Sequence, residues 1–423
     1  MAHETIERFD PSEDFPIITY GLPYPEALAR QLSNTLHCSR PFMIVSKSLA
    51  KETDALERLN SSLNNGDAKV AGIHVGMRPH TYYSEVLEVA GEAKSSGADC
   101  VVTIGGGSLT DAAKAIVLML ANEVSTLDEM DDLFKKSNAY RSNDVLPAGE
   151  TLPTIHPPKL PIICIPTTLS AGEYNPPGGA THDETKHKQL FFPPNHRGPQ
   201  ILIMDPALTQ TTPQRVWLST GLRAMDHCVE TICSSNPKAE GTEASLRGIG
   251  LLMPGLLKTK RNPHDSRARL SCQLGAAESM KANVIYGVHV GGSHGIGHQL
   301  GPIGVPHAET TCVCLPAVQK FNAKVNASQQ AIVLDAFWGQ PDISTVLTKR
   351  GLVKGEADLG DALDAVIREL GLPRTLKDYG IGRDQLEGIA ESSLRDVCCE
   401  WNVIPLKKKE QVLEILEMCL GDE

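Results

Sequence analysis

The stretch Asp99–Leu120, DCVVTIGGGSLTDAAKAIVLML, decides the fold. Its first six residues form a largely apolar run that reads as a buried strand, and the residues from Leu109 onward read as a helix. Between them stand Gly105, Gly106, Gly107 and Ser108. A strand that passes through glycines straight into a helix is a phosphate-binding arrangement. Without Cβ atoms the backbone can approach an anion, and the free N–H groups of the first helical turn point at it. Asp111 and Lys114 follow at one-turn spacings. The letters GGGS also occur in linkers, so the strand before and the helix after carry the reading.

Working outward, PFMIVS (41–46) and KVAGIHV (69–75) read as strands, with helices over Leu49–Asn64 and Tyr83–Ser96. Downstream, PIICIPTT (161–168) and QILIMDP (200–206) read as two more strands. Strands alternating with helices imply βαβ units and a mostly parallel sheet covered on both faces. After Asp205 the pattern turns helical, over Pro213–Ser234, Glu240–Lys258, Ser266–Ile285, Gly295–Leu300, Gln329–Phe337, Ala357–Leu370 and Lys409–Leu420. The expected fold class is α/β: an N-terminal parallel-sheet domain over 1–206, followed by an all-helical domain over 207–423. Asn138–Lys159 reads as a loop insertion, and Asp183–Arg197 as a second polar excursion.

Composition narrows the function. A chain of 423 residues exceeds one ordinary core, which agrees with two domains. The formal charge of −11 argues against nucleic acid or an anionic membrane as partner, because phosphate binding on that scale needs a basic face. No apolar run reaches the length of a membrane span. The opening residues MAHETIERFD have neither signal nor transit character. Eleven cysteines without a CxxC pair fit reduced thiols better than a disulfide framework. A cytoplasmic enzyme with a small-molecule substrate is the expectation. Cys312 and Cys314 read as core residues, and Cys398–Cys399 receives no role.

The second informative stretch is Tyr286–His307, YGVHVGGSHGIGHQLGPIGVPH, with His294, His298 and His307. With GGGSLTDAAKA, IPTTLSAGE, DPALT and TGLRAMDHCVE it forms an ordered set of motifs. The set resembles the iron-containing, or group III, alcohol dehydrogenase family, from about residue 20 to about residue 420. The resemblance implies a nicotinamide-dinucleotide domain like that of dehydroquinate synthase, a homodimer, and hydride transfer. It places Gly105, Gly106, Gly107 and Ser108 on the cofactor pyrophosphate, Asp111 in closing the loop, and Thr167 and Thr168 beside the nicotinamide and its phosphates. The segment Leu169–Glu173 is one residue shorter than usual in the family, as in maleylacetate reductases. Lys47 stands where many NAD-using members carry an aspartate. An ammonium flanked by Ser46 and Ser48 attracts a 2′-phosphate that a carboxylate repels, so NADP(H) is expected over NAD(H).

In the metal-dependent members of the family, an aspartate and a histidine four apart on one helix bind the cation with two later histidines. The matching positions here are Arg223, His227, His294 and His307, and His298 matches a histidine near the nicotinamide. A guanidinium stays protonated and offers no lone pair. Arg223 on the face of His227 is therefore expected to enter the cation's volume, and a metal-free site follows. If a metal is present, its ligands are His227, His294 and His307. Asp226 lies about 100° around the helix from His227 and is not expected to substitute. An ion pair of Arg223 with Asp226 or Glu230 is the alternative for that residue. Maleylacetate reductases also lack the aspartate, but they usually carry glycine at the position of Asp111 and another residue at that of Arg223.

The expected activity is an NAD(P)H-dependent reductase or dehydrogenase acting on a carbonyl or an activated double bond. In it Arg223 would steady oxyanion charge, His298 or His294 would handle the proton, and His227 and His307 would position the substrate. Tyr174 and His80 are candidates for the substrate pocket. His289 is left as an ordinary histidine. Three alternatives stay open: a non-redox lyase or isomerase using the histidines as acid and base, a metal-dependent alcohol dehydrogenase with a three-histidine site, and a non-catalytic binding protein.

Overall fold

The buried apolar runs pair into one sheet. In the computed structural model, which describes residues 3–64, 68–141, 152–196 and 198–421, the strands are β1 (Thr5–Arg8), β2 (Ile17–Tyr20), β3 (Pro41–Val45), β4 (Gly72–Val75), β5 (Cys100–Gly105), β6 (Ile162–Pro166), β7 (Gly178–Thr181), β8 (Lys188–Phe191) and β9 (Ile201–Met204). Seven of them form a sheet in the order β1-β2-β9-β6-β5-β3-β4. Every pairing in it is parallel except β1 with β2. All residues of β3, β5, β6 and β9 are buried, as strands covered on both faces must be.

The helices of this unit are α1 (Tyr24–Gln31), α2 (Lys47–Glu52), α3 (Ala55–Asn64), α4 (Tyr83–Ser96), α5 (Gly107–Ala121), α6 (Leu127–Ser137) and α7 (Pro206–Thr209). The second set comprises α8 (Gln214–Ile232), α9 (Ala239–Arg261), α10 (Ser266–Val284), α11 (Gly292–Leu300), α12 (Thr310–Gly339), α13 (Pro341–Lys349), α14 (Leu359–Leu370), α15 (Leu386–Ser393), α16 (Val397–Trp401) and α17 (Lys409–Cys419). The chain divides into two compact units, Met1–Thr211 and Thr212–Glu423. The expected division at 206/207 moves because Asp205 caps α7, accepting from Ala207 N and Leu208 N, and so holds that helix to the end of β9. Among the described residues the second unit carries no strand, as expected.

Several local expectations are corrected. Strands β1 and β2 were not anticipated, and β1 gives the sheet an antiparallel edge. The helix expected over 49–64 is two helices, because Thr53 is extended and its Oγ1 accepts from Ala55 N, capping the second. The strand expected over 69–75 shrinks to β4. Part of the polar excursion pairs as the hairpin β7–β8, while Arg197 lies outside the described residues. Residues 142–151 of the expected loop insertion also lie outside them, and α6 with a following turn reaches Tyr140. Gln329–Phe337 belongs to α12, which bends at Asn326, whose Nδ2 donates to Cys233 O at 3.0 Å.

Candidate active site

In the first unit, β5 delivers the chain to Gly105 and α5 begins at Gly107. No side chain caps α5 at Gly106, and although Leu109 N turns back to Gly106 O at 3.1 Å, the helix start presents its N-terminal end to an anion. A Cβ on Gly105, at φ +154°, would lie 2.9 Å from the Ser46 Cβ, and one on Gly106 would lie 3.3 Å from Thr168 Cγ2. Glycine is what these contacts admit. Ser46 N donates to Ile104 O at 2.9 Å, and Thr167 N donates to Gly105 O at 3.0 Å. Ser46, Gly105–Ser108, Thr167 and Thr168 are therefore gathered at the ends of neighbouring strands. Lys47, exposed, opens α2 with Ser46 as its cap, and Ser46 Oγ lies 3.1 Å from Ser48 Oγ. The cradle fits a dinucleotide pyrophosphate.

Behind the loop, α5 is tied to the segment after Thr168. Lys114 Nζ donates to Gly172 O at 2.7 Å and to Pro177 O at 2.9 Å, and Thr110 Oγ1 lies 3.4 Å from the Glu173 carboxylate. Burial lowers the Lys114 ammonium and raises the Glu173 carboxyl from their ordinary values. Asp111 lies 3.8 Å from both Lys114 and Lys188, so its charge serves these lysines. Tyr174 is buried with its ring 5.0 Å from that of Phe9, whereas His80 is exposed.

In the second unit, α8 presents Arg223, Asp226, His227 and Glu230, while α11 presents Ser293, His294 and His298. The rings of His227 and His294 stack with centroids 4.9 Å apart, and those of His298 and His307 with centroids 6.0 Å apart. The Glu230 carboxylate accepts from Gly291 N and Ser293 N, each at 2.8 Å, and lies 2.7 Å from His294 Nδ1. Three donors converging on one carboxylate assign the proton of His294 to Nδ1 and the lone pair to Nε2. That Nε2 and His227 Nδ1 are buried without a partner. Burial, with the Arg223 charge and the neighbouring imidazoles, holds both rings well below the usual histidine range, so they are neutral.

Arg223 goes where the alternative placed it. Its Nη1 lies 3.0 Å from Thr311 Oγ1 and 3.4 Å from Asp226 Oδ2. Asp226 is held by side chains from two other helices. Without any break in α8, its Oδ2 accepts from Thr311 Oγ1 at 2.7 Å and Ser293 Oγ at 2.9 Å, and lies 3.4 Å from His294 Nδ1. Burial and the neighbouring Glu230 charge push its carboxyl up to about 8. In the sequence Glu230 stands only as a partner for Arg223, and Asp226 also as a ligand not expected to substitute. Their spacing of three and seven residues from Arg223, on a helix otherwise rich in apolar residues, is the signal that marks a buried polar stripe.

Two family models match the chain: iron-containing alcohol dehydrogenase over residues 24–206, and the C-terminal domain of the Fe-containing alcohol dehydrogenase family over 217–420. The dehydrogenase ALT3 of Alternaria alternata is 38% identical over 89% of this chain and 98% of its own length. The dehydrogenase FUM7 of Gibberella moniliformis is 35% identical over 99% of each. Among solved structures, the NADH-dependent butanol dehydrogenase A of Thermotoga maritima superposes with a TM-score of 0.76 at 20% identity over 96% of each chain. The maleylacetate reductase of a Rhizobium strain does so at 0.71 and 23% over 95% of each, a likeness of fold. The arrangement and these matches define an oxidoreductase. The chain belongs to the iron-containing alcohol dehydrogenase family.

The family name implies iron, and the donor atoms grouped here differ from the expected ligand set. Among the described residues, three sets of ligand-type atoms lie within 4.8 Å of one another: Cys38–Asp99–Cys100, His298–Asp396–Cys398 and Asp226–Glu230–His294. His227, His294 and His307 are not one of them. In the last set, Asp226 Oδ2, both Glu230 oxygens and His294 Nδ1 already hold hydrogen bonds. One turn before His227, where an anionic ligand would stand, a permanent cation is bonded to the nearest carboxylate.

Proposed function

We propose that the protein is an NADP(H)-preferring reductase or dehydrogenase that transfers a hydride to or from a carbonyl carbon, or an activated C=C bond, of a small molecule without a catalytic metal. The observation that carries the reading is Arg223. Its guanidinium is buried beside Asp226, on the helix that also presents His227, in the place of the family's anionic ligand.

When bound, the nicotinamide supplies or accepts the hydride. The chain's own residues do the rest. The N–H groups at the start of α5 and the glycine backbone hold the pyrophosphate, and Lys47 with Ser46 takes the 2′-phosphate. Arg223 lends fixed positive charge to a substrate oxygen that becomes anionic, a role that costs no reorganisation because Thr311 and Asp226 already hold the guanidinium. The neutral His294, with Nδ1–H on Glu230, offers Nε2 as a hydrogen-bond acceptor, and His227 and His307 flank the substrate. His298 donates or accepts the proton. A homodimer is part of this reading, on the family's habit.

The test is one preparation purified without chelator. Metal content should be well below one equivalent, NADPH oxidation by aldehydes, ketones or unsaturated acids should survive EDTA, and KM should be lower for NADPH than for NADH. Stoichiometric iron or zinc overturns the metal-free reading. A clear NADH preference overturns the cofactor choice.

A further inference from the structure

The ring of His298 is held from outside its own helix. Its Nδ1 lies 2.8 Å from Oδ2 of Asp396, a residue 98 positions later in the chain. The His298 side chain is 36% exposed and that of Asp396 only 14%, so the ring reaches solvent while the carboxylate stays inside. Asp396 uses its two oxygens differently. Oδ1 accepts from Cys398 N at 2.9 Å and caps α16, while Oδ2 takes the imidazole, with Gln299 Nε2 3.4 Å away. A cap alone needs only the first oxygen. The packing behind the pair leaves no slack: a Cβ on Gly295 would lie 2.5 Å from Cys399 Sγ and 2.7 Å from Cys399 N. Glycine one turn before His298 thus lets α11 and α16 approach closely enough for the bond.

We propose that Asp396 is a positioning residue: it accepts the Nδ1–H of His298, fixes the tautomer and plane of that ring, and leaves Nε2 as the nitrogen that exchanges a proton with the substrate oxygen. The proposal rests on the reading of the chain as a hydride-transferring oxidoreductase. In reduction, the proton leaves Nε2 for the oxygen as the hydride arrives at carbon, and the neutral ring keeps Nδ1–H on Asp396. Solvent then restores the proton at Nε2. Oxidation runs the same atoms in reverse. A carboxylate behind a histidine does this work by orientation rather than by taking the proton itself.

The test is Asp396→Asn in the full chain, since asparagine caps a helix about as well as aspartate and leaves the bond to Cys398 N available. Nitrogen NMR of histidine-labelled protein, with His298 assigned by its loss in His298→Gln, reads the tautomer directly. At a pH where the ring is neutral, the wild type should show protonated Nδ1 and bare Nε2, and the variant a mixed or reversed pattern. The kcat should fall about 10- to 100-fold, the usual cost of losing such an orienting partner. KM for the cofactor should move less than about twofold, because binding is not what is lost. Asp396→Glu should recover part of the rate. Gly295→Ala, which touches neither side chain, should disturb the same tautomer by parting the helices. A neutral wild-type ring whose single proton sits on Nε2, or an unchanged tautomer in Asp396→Asn, overturns the proposal. So does zinc bound stoichiometrically by His298, Asp396 and Cys398. The tautomer needs no turnover, so a protein that reduces no carbonyl would sink the functional reading and still leave this one decided.

Discussion

At the scale of single residues, the chemistry turns on which atoms around α8 and α11 are engaged and which are left open. Arg223 and Asp226 hold each other, Glu230 holds His294, and two imidazole nitrogens and Asp226 Oδ1 are buried without partners. Replacing the guanidinium by a carboxylate reverses that balance. In Arg223→Asp, the anion would stand one turn before His227, and Asp226, released from the guanidinium, would keep its place 3.4 Å from Nδ1 of His294. The expected outcome is uptake of about one equivalent of zinc or ferrous iron, against none in the wild type if the proposed metal-free reading holds, measured by metal analysis after dialysis. Without added metal, reductase turnover should fall by about 100-fold, the scale of losing one preorganised electrostatic donor. No gain in metal affinity would mean that the histidines do not share a cavity with position 223. The histidine positions were legible in the sequence because they follow ordered motifs. The partners of Asp226 were hidden because a helical wheel describes one helix, whereas Ser293 and Thr311 arrive from two others. Asp396 was illegible for the same reason: 98 residues separate it from the ring it holds.

Among the elements, the sheet shows what binary pattern reveals and what it hides. The four fully buried parallel strands were read as apolar runs, and the glycines after β5 marked its junction with α5. The edge strand β1 has one half-buried residue and three exposed ones, too weak a pattern to announce itself. Strand β4 alternates half-buried with exposed, and four of the seven residues in the expected run form it. What sets β3 beside β5 is Asp99, just before β5. Its carboxylate accepts from Ser39 N at 2.7 Å and from Arg40 N at 2.9 Å, which pins the start of β3. Burial raises that carboxyl, but the bonds from Ser39 and Arg40 outweigh it and leave Asp99 below its ordinary value. A carboxyl lowered on folding stabilises the folded state above its unfolded pKa, and that contribution is lost as pH falls through the folded value. Asp99→Ala should therefore cost about 2 kcal/mol near pH 7, the scale of hydrogen bonds to a charged acceptor. The difference from wild type should shrink steadily below about pH 4. Urea unfolding at both pH values measures it, and a pH-independent difference would assign the loss to packing instead.

For the molecule as a whole, the division at Thr211/Thr212 has a physical meaning that can be tested by cutting there. The first unit keeps a core of its own between the sheet and its helices, with Leu28, Met43, Leu59, Val102, Ile163 and Ile203 in one cluster. The second has another, with Ile296, Val318, Phe321, Leu386 and Leu416. Among the described residues every strand pairing lies within the first unit, and no hydrogen-bonded ladder would be cut by the division. The proposed anion cradle, from Ser46 and Lys47 to Gly105–Ser108, Thr167 and Thr168, is likewise complete before residue 211. A fragment of residues 1–211 should then fold by itself, show the circular dichroism of a mixed α/β protein, and unfold cooperatively, as a domain of ordinary size with its own core does. It should also bind 2′-phospho-ADP-ribose more tightly than ADP-ribose in a calorimetric titration, because Lys47 and Ser46 need nothing from the helical unit. A folded fragment that binds neither ligand would move the cradle's missing parts beyond residue 211. One that prefers ADP-ribose would leave the cradle in place and return the chain to NAD(H).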